Sequence, residues 1–123
     1  MAGQAHHFRR YAPPGNDDAR DRFVAECARL YGVMENHLAS REWLGGGAYG
    51  IADIAAWGWI WYHRMHGQHL DDFPAVARWF FAVAARPAVQ RGRMLGIETQ
   101  SEETRARLIG PYCGANGPAP GAE

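Results

Sequence analysis

The stretch "AYGIADIAAWGWIWYHRM", residues 48–65, is apolar and aromatic almost all the way round, yet it carries one carboxylate, Asp53, near its start. A carboxylate in apolar surroundings can work as a general acid or base, because lost solvation moves its proton affinity toward neutrality. It can equally hold a helix start, where the first backbone N–H groups have no intrahelical partner. Acid–base work wants a second titratable group within reach, and the next in this segment is His63, ten positions on. The structural role is therefore preferred. With Gly50 as the cap, Asp53 is the third helical residue and its carboxylate folds back onto the Gly50 N–H, which is half of a capping box. Tyr49, just outside the helix, is expected to pack on Ile54 as a hydrophobic staple. Gly50 has no side-chain oxygen to complete the box, though glycine is a tolerated cap residue.

His63, His66 and His69 raise the question of a metal, since neutral imidazoles are good zinc ligands. On a helix this spacing spreads the three over different faces, Gly67 interrupts the run, and no carboxylate or cysteine offers an obvious fourth ligand. No metal is expected. Cys27 and Cys113 lie far apart without CxxC spacing, which argues against a zinc module, a disulfide scaffold or a dithiol redox pair. Cys27 falls on an apolar helix stripe and should be inert, whereas Cys113 in the tail should be the more accessible thiol. The tryptophans at 43, 57, 59, 61 and 79 read mainly as core, with Trp61, beside Tyr62, a candidate wall for an apolar substrate pocket.

The elements that must position these groups are helices. Residues 1–11 form one, ended by Pro13 and Pro14; it begins without a capping signal. Asn16 or Asp17 caps a long second helix whose stripe of Phe23, Cys27, Leu30, Tyr31, Met34 and Leu38 faces a core, while Arg20, Glu26, Arg29 and Glu35 should be wet. The loop "SREWLGGGAYG" is pinned by Trp43 and Leu44. The third helix, Ile51 to about Met65, is apolar on every side and should be the central one of a bundle. Pro74 opens a fourth with Val76, Trp79, Phe80 and Val83 inward, and Pro87 a short fifth through about Met94. Further helical turns are expected in "SEETRARLI", then a mobile Gly/Pro/Ala tail. No strand pattern or internal repeat is present. The fold class is all-α, with a helical domain over residues 1–95 and an extension over 96–123.

The chain has 123 residues, room for one domain with a real core, with 47% apolar and 21% charged residues. Thirteen basic and thirteen acidic residues cancel, so neither nucleic acid nor an anionic membrane is an expected partner, despite the basic-aromatic patch "HHFRRY". No secretory leader or spanning segment is read, and the expected compartment is the reducing cytoplasm.

"YGIADIAAWGWI" followed by "LDDFPAVARWFFAVAARPAVQRG" resembles the C-terminal helical domain of cytosolic glutathione transferases, whose buried sixth helix opens with a Ser/Thr-x-x-Asp capping box and staple. "GQAHHFRRYAP", "RLYGVMENHLASREWLGG" and the arginine-bearing tail are similar to the bacterial nu-class branch, the glutathione-dependent disulfide-bond oxidoreductase type. The likeness runs over residues 3–95, and Gly50 departs from the family's serine or threonine. It implies a bundle of about five helices that starts inside the family's fourth helix, with the thioredoxin-like domain that binds and activates glutathione lying outside this chain. Arg22 aligns with an arginine that reaches glutathione in nu-class relatives; its alternative is a solvated arginine near Asp18 and Asp21. Gln4, His7, Phe8 and Tyr11 would line the substrate cleft, or else form an interhelical or dimer contact. The implied co-substrate is glutathione, the substrate a small apolar electrophile or disulfide, and the partner a homo-oligomer or a companion thioredoxin-like domain. No residue here is implied to be catalytic, so the chain alone should be inactive. The alternative function is a non-catalytic interaction or oligomerisation module.

Overall fold

A computed structural model describes residues 1–98 and 101. The expectations for the tail, including Cys113 and the turns after Ser101, lie outside the described residues. The described residues form five α-helices in order: α1 (Ala2–Arg10), α2 (Asp17–Leu38), α3 (Ile51–Ile60), α4 (Pro74–Ala84) and α5 (Pro87–Glu98). Short 3₁₀ turns cover His63–His66 and Leu70–Asp72. Among the described residues there is no strand, only an isolated bridge between Trp43 and Gly46. The chain divides into two compact units, Met1–Val83 and Ala84–Glu123. The core described below belongs to the first; of the second, α5 begins at Pro87, whose missing N–H costs nothing in a first turn.

α1 and α2 form a helical hairpin. Asn16 is the residue ahead of α2, but its side chain does not accept from the helix as expected. Its amide donates to Pro13 O at 2.9 Å and so fixes the turn. Asp17 and Asp18 in the first turn complement the positive end of the helix. The inward stripe of α2 narrows to Cys27, Tyr31 and Leu38, all buried, with Phe23 and Met34 half-buried and Leu30 exposed at its edge.

Two expectations fail in an instructive way. Glu35 is not simply a wet residue: its oxygens accept the N–H groups of Ala75 and Val76 at 2.9 Å each. Those are free donors of the first turn of α4, so a carboxylate from α2 caps α4 and meets the positive end of its dipole. In return Arg78 on α4 donates to Leu38 O and Arg41 O at 2.8 Å, closing carbonyls at and just past the end of α2. The second failure is α3. It buries Asp53, Trp57 and Ile60, while Ile51, Ile54 and Trp59 are 80%, 53% and 57% exposed. An all-round apolar helix thus has one face uncovered, and its composition could not tell which.

α3 also stops early. The Trp61 N–H still reaches Trp57 O, but Tyr62 N–H bonds Trp59 O and Met65 N–H bonds Tyr62 O, three residues back. Tightening to three residues per turn stacks side chains i and i+3 on one face, so His63 and His66 both point inward and are buried while His69 is exposed. Gly67 ends the turn at φ +77°, a left-handed conformation suited to glycine. α4 packs Val76, Trp79, Phe80 and Val83 into the core, the stripe its spacing predicts.

Candidate functional site

The Asp53 carboxylate is 0% exposed and makes more bonds than a capping box contains. Oδ2 accepts the Gly50 N–H at 2.9 Å. Oδ1 accepts both the Leu44 N–H at 2.9 Å and the Trp79 indole N–H at 2.8 Å. Glycine at the cap leaves the Asp53 N–H to the Gly50 carbonyl, 3.1 Å away. Burial works against the charge, but the donors of Leu44, Trp79 and Gly50 outweigh it, and the carboxyl is held below the ordinary carboxylate value. Such an anion is a poor proton acceptor and a good fastener. It ties the glycine loop, the start of α3 and the middle of α4 at one point. Tyr49 meets Trp43 edge to face at 5.4 Å, and Ile54, its expected staple partner, is half exposed.

Of the four α1 residues named from the sequence, His7 touches Phe8 and Tyr11, and Gln4 lies one turn before them on the same helix. His7 lies edge-on to Phe8 at 5.2 Å and 6.4 Å from Tyr11, and Phe8 stacks on Phe23 of α2 at 5.3 Å. Gln4, His7 and Tyr11 are exposed and Phe8 is half-buried. His6, which the sequence reading passed over, joins the row by stacking on Tyr11 at 5.6 Å and lying 6.0 Å from Tyr62. Its imidazole is held below its ordinary value by burial and by Arg10. Arg22 is exposed on α2 and makes no hydrogen bond or ion pair among the described residues, since Asp17 and Asp21 are both taken by Arg20. With Met1, Phe23, Ala25, Glu26 and Arg29 it borders an open groove of about 530 Å³. A flat apolar or sulfur-bearing group could lie along the aromatic row, and the Arg22 fork could take a carboxylate.

Trp61 packs elsewhere. Its ring lies 5.3 Å from Trp57 and stacks at 6.0 Å on Phe80, in a cluster whose Trp57 indole N–H donates to Phe80 O at 3.0 Å. Cys27 is buried, and burial pushes its thiol up, away from nucleophilic use. Among the described residues no cluster of three or more potential metal ligands forms.

Sequence spacing did not reveal the polar group behind α1. His66 is 0% exposed, with the Tyr31 hydroxyl 3.4 Å from Nδ1. His63 donates from Nδ1 to Gln68 O at 3.0 Å, and the Gln68 amide donates to Val24 O and His66 O. Only the three-residue periodicity of the 3₁₀ turn could have paired the two histidines.

Comparison with known proteins places this arrangement. Residues 4–87 match the family model "Glutathione S-transferase, C-terminal domain". The disulfide-bond oxidoreductase YfcG of Escherichia coli is 41% identical over 88 residues, covering 72% of this chain and 41% of that protein. The disulfide-bond oxidoreductase YghU of the same organism is 36% identical over 102 residues, 77% of this chain and 35% of its own length. A Burkholderia graminis glutathione transferase, solved with two glutathione molecules per subunit, superposes with a TM-score of 0.66 at 36% identity over 93% of this chain and 44% of that one. A Pseudomonas fluorescens family member, also solved with two glutathiones, gives 0.66 at 39% identity over 75% and 44%. The chain thus spans less than half the length of these relatives. Helix order, the Asp53-anchored start of α3 and these matches agree: the chain belongs to the glutathione S-transferase family and carries its C-terminal helical domain.

Proposed function

We propose that this domain forms the substrate-pocket half of a glutathione-dependent enzyme of the disulfide-bond oxidoreductase type, with glutathione activation supplied by a thioredoxin-like half. The observation that carries the reading is the α1 face of Gln4, His7, Phe8 and Tyr11, exposed except for the half-buried Phe8, with an exposed Arg22 on the adjoining helix, in a unit whose buried thiol and acid are both unsuited to catalysis. A row of this kind positions a substrate without transferring its protons. The reaction it serves is thiolate attack on a disulfide sulfur, in which one S–S bond forms as the other breaks and the second sulfur leaves as thiolate. Arg22 would pair with a glutathione carboxylate, and the aromatic row would hold the disulfide or an apolar electrophile against it. A reducing cytoplasm suits this chemistry.

The test mixes the 123-residue protein with the thioredoxin-like half of a relative and follows reduction of a small disulfide by glutathione. The chain alone should give no turnover; the mixture should, and Arg22→Ala should raise the KM for glutathione severalfold with little change in kcat. Saturable turnover by the chain alone, or indifference to Arg22→Ala, would sink the reading.

A second reading, a homo-oligomeric or protein-docking module, is favoured by the uncovered apolar face of Ile51, Ile54 and Trp59. Sedimentation at dilute concentration separates the two, since a stable monomer that binds no hydrophobic dye excludes the module.

A further inference from the structure

Behind the aromatic row, α1 rests on a buried imidazole with no counter-charge. His66 is fully enclosed; among the described residues its Nε2 has no hydrogen-bond partner, and its Nδ1 has the long contact to Tyr31. Among the described residues the groups that bear on it are neutral or positive, while the carboxylates of Glu26 and Asp71 act on Arg29 and His63. From α1 come His6, whose ring lies 6.2 Å away and edge-on, Arg10 beside that ring, and Arg9, whose guanidinium reaches over Gly67. From α2 comes the Tyr31 hydroxyl, while Glu26 on the same helix is held by Arg29. From its own turn comes His63, with Nδ1–H already given to Gln68 O.

We propose that His66 is a proton-operated latch on α1: a proton taken up by this ring puts an unpaired cation beneath the helix and releases α1 from the 3₁₀ turn and from α2. The neutral ring carries one donor and one acceptor nitrogen; Tyr31 meets Nδ1, and leaving Nε2 unmet costs a neutral ring far less than a charged one. The charged ring has two N–H donors and a full charge in a site where the described residues offer no acceptor for the second and no anion, an arrangement that buried charges do not tolerate. Burial first, then His6 and His63, push the His66 imidazole from its ordinary 6.5 down to about 4. The sign follows from linkage. The unfolded or released ring binds its proton below 6.5 and the enclosed ring only below about 4, so the stabilisation of α1 is complete above 6.5 and is lost as pH falls between those values. The His66 proton makes the opening equilibrium rise about tenfold per pH unit in that window, and His6 and His63, both held below the ordinary imidazole value, add to it. The Asp53 hub behaves oppositely in range: its folded carboxyl lies below 3.8, so its contribution is intact throughout the window and is lost only at lower pH. Mild acid should therefore detach α1 while the α3–α4 junction holds. This inference does not depend on the substrate reading.

The experiment is backbone amide exchange on the 123-residue protein between pH 7 and 4.5, corrected for intrinsic exchange, together with the histidine ring resonances. The expected result is that amides of residues 5–10 and 65–68 lose protection about tenfold per unit below pH 6.5, while the Leu44 and Gly50 amides keep theirs. His66→Phe, which retains an aromatic ring without a proton site, and His66→Gln should both flatten this dependence. Wild-type α1 protection that is independent of pH, or a wild-type His66 resonance titrating near 6.5 with α1 still protected, would overturn the latch, as would a variant with the full wild-type dependence. The wild-type measurements decide the matter even where a variant fails to fold.

Discussion

The two ends of the Met1–Val83 unit treat buried polar atoms in opposite ways. At the α3–α4 end, Asp53, Glu35 and Arg78 each meet two or three backbone or indole partners at 2.8–2.9 Å, and each bond crosses between elements or closes a helix end. At the α1 end, the His66 ring has one long hydrogen-bonding contact at 3.4 Å and, among the described residues, no partner for its other nitrogen. Buried polar groups fully satisfied make a rigid point, and partly satisfied ones mark a place that opens first. The residues proposed to face a substrate lie on the looser end, as segments that must adjust to ligands commonly do.

The sharpest way to break this contrast is to remove the fastener. Asp53→Ala leaves Leu44 N–H, Gly50 N–H and the Trp79 indole without their acceptor and should cost about 3 kcal/mol, read by urea unfolding at pH 7. Because the Asp53 carboxyl is held low, its stabilisation is present above the unfolded value of 3.8 and lost as pH falls below it, so wild type and variant should converge in strong acid. Glu35→Ala frees the first turn of α4 and should cost on the order of 1–2 kcal/mol by the same measurement. On the looser side, Gly67→Ala demands a left-handed alanine whose Cβ would sit 3.0 Å from Arg9 Nη1 and Val24 Cγ1. A loss of about 1 kcal/mol is expected there, with the α1 amides deprotected before those of α3. The smallest effect sharpens the other end: Gly50 is extended at φ −154°, and an added Cβ meets only Ala48 O at 4.0 Å. Gly50→Ser should fit without strain, offer a hydroxyl to the Asp53 N–H and stabilise by a few tenths of a kcal/mol in thermal unfolding.

Local signals carried much of this into the sequence. The i, i+3 spacing from Asp53 to Gly50, the prolines at 13, 14, 74 and 87, and the stripe of α4 each depend on neighbours within a turn, and each element stands where its signal puts it. What was illegible is long-range. Glu35 reaches a helix start forty residues away, and nothing beside Glu35 announces that partner. Asp53 takes two donors, from Leu44 and Trp79, that lie outside any capping motif. The open face of α3 was hidden for a different reason: Ile51, Ile54 and Trp59 have the same apolar character as the buried Trp57 and Ile60, so periodicity carries no contrast. Of the candidate site, the spacing of Gln4, His7, Phe8 and Tyr11 was legible as one helix face, whereas the stacking of Trp61 on Phe80 of α4 has no local signal.

The reciprocal clasp of Glu35 and Arg78 also fixes register. Two helices with smooth apolar stripes can slide past each other by one turn, about 5.4 Å, and keep comparable hydrophobic contact. Here such a slip would strand the Ala75 and Val76 amides at one end and the Leu38 and Arg41 carbonyls at the other in the same movement. The pair works as a key cut at both ends, allowing α2 and α4 a single alignment.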